Sequence, residues 1–96
     1  MLQEIVIRTE NADALKPLVR AALEREAKLL EHSVLRTREE LAVFENRHKM
    51  TTEDFERKFK AREIEETLDF LDWWMEVEAL RHLEHQLQSM REARLD

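Results

Sequence analysis

The sequence predicts a mainly α protein: a long antiparallel helical hairpin with a short connecting helix and one short N-terminal β-strand, assembled as a dimeric helical bundle. Three observations carry this expectation. The chain has no Gly and one Pro in 96 residues, so almost nothing in it interrupts a helix. Charged residues make up 40% of the chain and hydrophobic ones 43%, the balance of long helices and coiled coils. The third observation is the stretch Glu65–Leu87, which holds both tryptophans, Trp73 and Trp74, among Phe70, Leu71, Met75, Val77, Leu80, Leu83 and Leu87. Successive helical residues point about 100° apart, so Trp73, Trp74 and Met75 cannot share one face. A helix apolar on several sides needs cover on several sides, which one partner helix cannot give. The chain is therefore expected to be completed by a second molecule.

In order, residues 2–8 form the one strand candidate. Ile5, Val6 and Ile7 are all β-branched, which favours extended backbone. No second segment reads as strand, so its N–H and C=O groups must pair outside this chain. Asn11 and Asp13 are good N-caps, and Pro17 suits a first helical turn, which places a helix over about residues 14–49. Along it, Val19, Leu23, Ala27, Leu30, Val34, Leu41 and Phe44 form a heptad seam in which Thr37 fills the sevenfold step. Leu15, Leu18, Ala22 and Leu29 widen the stripe beyond a two-stranded seam.

Thr51 then reads as an N-cap with Asp54 at N3, a capping box with Asp in place of Glu. Met50 and Phe55 occupy the positions of a hydrophobic staple. A short helix over about 52–60 follows, and a last helix over about 64–94. In the latter Ile64, Leu68, Leu71 and Met75 make one stripe, and Phe70, Trp73, Val77, Leu80, Leu83, Leu87 and Met90 another. All of this is one domain, residues 1–96.

The segments Leu41–Glu45, Met50–Phe55 and Leu68–Trp73 resemble a group of small helical proteins of bacteria and archaea that are encoded beside toxin-like genes and regarded as antitoxins. Relatives in that group carry a Gly-containing break where this chain has Ala61-Arg62-Glu63-Ile64. The resemblance implies a protein that binds and neutralises a small toxin-like partner.

The net charge of −6 speaks against direct nucleic-acid binding, which rests on neutralising phosphates with Lys and Arg. It speaks instead for a basic partner. Without cysteine there is neither disulfide framework nor thiolate site, which fits a cytoplasmic protein. The N-terminus does not read as a signal peptide, and no apolar stretch approaches the ~20 residues of a membrane span. Glu45-x-x-His48 has the spacing of helical di-iron sites, but a second such motif is missing, and His82 and His85 have no Glu three residues before them. The acids Glu65, Glu66, Asp69, Asp72 and Glu76 are the basis of a competing reading, an all-α metal-dependent hydrolase of nucleotides. That reading needs matching inward acids on the first long helix, where Leu41 and Phe44 hold the inward positions beside Glu39 and Glu40. The sequence thus points to a non-enzymatic interaction protein without metal or cofactor. Its partners are a second copy and, on the resemblance, a small toxin-like protein. Ile5, Val6, Ile7, Phe70, Trp73, Trp74 and Val77 are its candidate interface residues.

Overall fold

A computed structural model describes residues 3–93. Three helices follow one another: α1 (Ala12–His48), α2 (Thr52–Lys60) and α3 (Leu68–Glu92). α1 and α3 run antiparallel, as the ion pairs along their seam record. Arg47 meets Asp69 at one end, Arg38 lies 3.4 Å from Glu84 in the middle, and Glu31 lies 3.7 Å from Arg91 at the other. The molecule measures 58 × 26 × 18 Å, and its radius of gyration is 18.8 Å. A compact chain of this length would have a radius near 12.5 Å.

Asn11 caps α1, its Oδ1 accepting from the Ala14 N–H at 3.2 Å. Because the helix opens at Ala12, Pro17 lies inside it rather than in the first turn. The helix bond that Pro17 cannot donate would go to the carbonyl of Asp13, an exposed residue that water can reach. α1 ends with Arg47 and His48 in its last turn, where positive charge suits the helix dipole. Lys49 takes the left-handed conformation that glycine would favour (φ 52°).

Thr51 caps α2, its Oγ1 accepting from the Asp54 N–H at 3.1 Å. The reciprocal half of a capping box is not made. The Asp54 carboxylate, one methylene shorter than Glu, instead lies 3.5 Å from Arg57. Glu45 of α1 reaches across and accepts the Thr52 N–H at 2.7 Å, so the end of one helix caps the start of the next. A Schellman motif closes α2, with Arg62 N–H bonded to Phe59 O and Glu63 N–H to Lys58 O. Arg62 sits at φ 58°, again where glycine would be easiest.

The chain then runs outside any helix to Thr67, whose Oγ1 accepts from the Phe70 N–H at 3.1 Å and caps α3. The last helix therefore opens four residues later than the expected Ile64. Its expected end at Arg94 lies outside the described residues. The expected strand is not formed within the chain: residues 3–9 are neither helical nor paired, and Leu2 lies outside the described residues.

The core sits at the connector end. Trp73 and Phe55 are fully buried, joined by Leu41, Phe44 and Val77, with Met50, Phe59, Ile64, Phe70, Trp74 and Leu80 packed around them. Farther along the hairpin, among the described residues, Leu30, Val34, Thr37 and Leu87 alone are buried.

Candidate interaction surface

Trp73 shows how the two tryptophans are accommodated. Its ring lies between Phe55 at 4.0 Å and Phe44 at 5.7 Å, both stacked on it. Its Nε1–H donates to Thr52 Oγ1 at 3.3 Å, which satisfies the one polar atom of the ring. Trp74, half-buried, stacks on Phe59 at 5.0 Å under the ammonium of Lys60. α2 is thus the second cover that the adjacent tryptophans require, and it comes from within the chain. Trp73 and Val77 are buried inside the protomer. Phe70 and Trp74 are half-buried. Of the interface candidates Ile5, Val6 and Ile7 are the open ones, 93%, 71% and 60% exposed.

A polar clamp closes the rim of this core. The Asp69 carboxylate accepts from Arg47 Nη1 with one oxygen and meets His48 Nε2 with the other. The His48 ring lies on Trp73, with centroids 5.6 Å apart, and against Phe70 at 4.7 Å. Its hydrogen bond to His48 first, and to Arg47 second, holds the Asp69 carboxyl below its ordinary range. On the other side of α3, Glu56 of α2 is bound by Arg81 and by Lys60 at 3.1 Å, and the bond from Arg81 likewise holds its carboxyl low.

The clamp ties the last turn of α1 to the first turn of α3, and the hydrogen bonds of His48 end at Asp69. Glu45 accepts from the Thr52 N–H while His48 meets Asp69, so the two side chains have separate partners. His82 and His85 are exposed on α3. Among the described residues no three His, Cys, Asp or Glu side chains gather closely enough to hold a metal ion. Nor is any described helix long and apolar enough to cross a membrane.

What remains is apolar surface. On α1, Leu18 and Leu29 are 66% and 57% exposed, and the seam residues Val19, Leu23 and Ala27 are only half-buried. On α3, Leu68, Leu71 and Met75 are 82%, 37% and 67% exposed. Sequence reasoning singled out neither group as a site. The signal for the second was available in the i, i+3, i+7 spacing of Leu68, Leu71 and Met75. The Asp69 clamp had no such signal, since its partners stand more than twenty residues away.

No protein-family model, curated protein or solved structure matches this chain.

Proposed function

We propose that the chain is a non-enzymatic helical interaction module of the cytoplasm, which associates with a second copy of itself and, as the resemblance at its connector implies, binds and neutralises a small toxin-like protein. The observation that supports this reading is the surface left open. The protomer exposes 8203 Å². A compact monomer of 11.6 kDa would expose about 5,800 Å². The excess, roughly 2,400 Å², is larger than the ~800 Å² that one partner contributes to a standard stable interface.

The open half of α1 suits a second copy. Residues 12–36 carry five Lys or Arg and four Asp or Glu, so the ground around Leu18 and Leu29 is close to neutral and mixed in sign. A two-fold axis can set such a surface against itself without gathering like charge. The N-terminal segment fits the same axis: Ile5, Val6 and Ile7 have no backbone partner among the described residues, and an antiparallel pair with their own copies supplies one. Such a ribbon is stable only when it also lies on helices. Augmentation of a partner protein's sheet edge is the other way to satisfy the segment.

Light scattering at tens of micromolar should give a dimer, and Leu18→Gln with Leu29→Gln should shift it to monomer. A wild-type monomer would sink the self-association. Hydrogen exchange then assigns the N-terminal segment. Slow exchange at Ile5 to Ile7 in the isolated protein marks the homodimer ribbon. Fast exchange that slows only on adding a second protein marks augmentation, and fast exchange under every condition rules out a strand.

A further inference from the structure

Leu68, Leu71 and Met75 form one stripe along two turns of α3, on the side turned away from α1, with exposed Ala79 one turn farther on. Among the described residues Leu68 and Met75 stay mostly uncovered, and Leu71 stays partly so. Ile64, which continues the same spacing in the sequence, leaves the stripe and packs into the core, because the chain before Thr67 is not helical. An apolar stripe in this position needs an occupant, and the charge around it selects one.

Residues 65–80 contain six carboxylates, Glu65, Glu66, Asp69, Asp72, Glu76 and Glu78, and no Lys, Arg or His. Asp69 is taken by the clamp, and Glu78 lies 3.2 Å from Arg81. Glu65, Glu66, Asp72 and Glu76 make no ion pair among the described residues. On the helical wheel Asp72 and Glu76 flank one side of the stripe and Glu78 the other. The helix dipole accounts for acids at the start of α3, but its influence falls off within the first turn, short of Glu76 and Glu78. It gives no account of three open apolar side chains among them.

A second copy is a poor occupant for this face. A two-fold axis through the stripe would set one carboxylate row against the other, and like charges across an interface disfavour the pairing. This is the reverse of the mixed-sign surface around Leu18 and Leu29.

We infer that the outer face of α3 docks a basic amphipathic helix of a different protein, whose apolar side chains pack on Leu68, Leu71 and Met75 while flanking Lys and Arg side chains meet Asp72, Glu76 and Glu78. The inference rests on the reading of the chain as an interaction module and assigns its second partner a face and a chemistry. The contact spans two helical turns, so it is small, and electrostatic attraction contributes much of its strength. It therefore weakens as salt shortens the reach of the charges to about 10 Å at 0.1 M.

The test titrates the full chain against two labelled helical peptides by fluorescence anisotropy. Both carry Leu at i, i+3 and i+7; one has Lys and Arg on the flanks, the other Glu. The basic peptide should bind, and its affinity should fall roughly tenfold between low and physiological salt. The acidic peptide should not bind. Leu68→Gln with Met75→Gln changes only exposed side chains and should abolish binding with helicity unchanged by circular dichroism. Asp72→Asn with Glu76→Gln should weaken binding and flatten its salt dependence. Equal binding of both peptides, no binding of either, or undiminished binding by the Leu68/Met75 variant would overturn the inference.

Light scattering on the same samples separates this inference from the self-association. A Leu68/Met75 variant that remains dimeric while losing the peptide supports both. A variant that becomes monomeric makes this face the dimer interface and overturns the inference alone. A monomeric wild type that still binds the basic peptide overturns the self-association alone.

Discussion

The two ends of the hairpin continue one heptad seam and reach different degrees of burial. At the connector end Leu41 and Phe44 are buried, because α2 folds over the seam and brings Phe55 and Phe59 against Trp73 and Trp74. At the open end Val19, Leu23 and Ala27 hold equivalent positions and are half-buried. There Leu23 and Ala27 lie beside Met90, Arg91 and Ala93, where α3 runs out. The seam pattern sets which side of α1 turns inward. Between the two ends, Leu30, Val34 and Thr37 are buried where α1 and α3 meet without α2, so the seam opens only toward the end of α3 at Glu92.

The largest expected effect tests that contrast. Phe55→Ala removes a fully buried ring from the centre of the aromatic stack and should cost about 3–5 kcal/mol in urea unfolding. Leu23→Ala, on the same chain but half-exposed, should fall well below the ~2 kcal/mol at which buried Leu→Ala changes begin. Equal losses at the two sites would break the comparison.

Much of the connector end is legible in the sequence. Thr51, Met50 and Phe55 mark the start of α2 by local chemistry alone, and the seam residues of α1 mark its inner side. The rest is hidden for physical reasons. The start of α3 is misread because Ile64 stands four residues before Leu68 and continues the helical spacing, although the cap is Thr67. The break before it turns on Arg62 in a left-handed conformation, which no glycine announces. Trp73, Trp74 and Met75 point to different sides of α3, so the pattern alone does not say which of them turns outward. That is decided when α2 covers Trp73 and Trp74 and leaves Met75 in the open. Asp69 joins His48 and Arg47 only in the folded hairpin.

Smaller changes sharpen the account of how α2 is held in place. Thr51→Ala removes the cap on Asp54 N–H and should lose about 1 kcal/mol. A thermal melt unchanged by it would mean that Glu45, through Thr52 N–H, is sufficient to hold the start of α2. Arg62→Gly should act in the opposite direction. A left-handed non-glycine residue costs about 1–2 kcal/mol, and the extra unfolded-state freedom of glycine returns part of that. The net should be a gain of roughly 0.5 kcal/mol, seen as a small rise in the urea midpoint.

Both carboxylates that the fold holds below their ordinary range, Asp69 and Glu56, belong to the connector end. This gives the two ends different expected responses to acid. Asp69 is held low by His48 first and by Arg47 second, so the folded state binds its proton more weakly than the unfolded chain does. Its contribution to stability is complete well above the ordinary value of 3.8, and it is lost as pH falls through the lower folded-state value. Asp69→Asn cannot release that proton and should be less stable than the wild type near neutrality. The gap between the two should close as pH is lowered from about 5 toward 2. The carboxylate is half-exposed, so the effect should be the smallest of those considered. Urea midpoints for the two proteins at several pH values in that range measure it directly. Curves that stay parallel throughout would mean that the clamp does not form in solution, and that the aromatic stack alone closes the connector end.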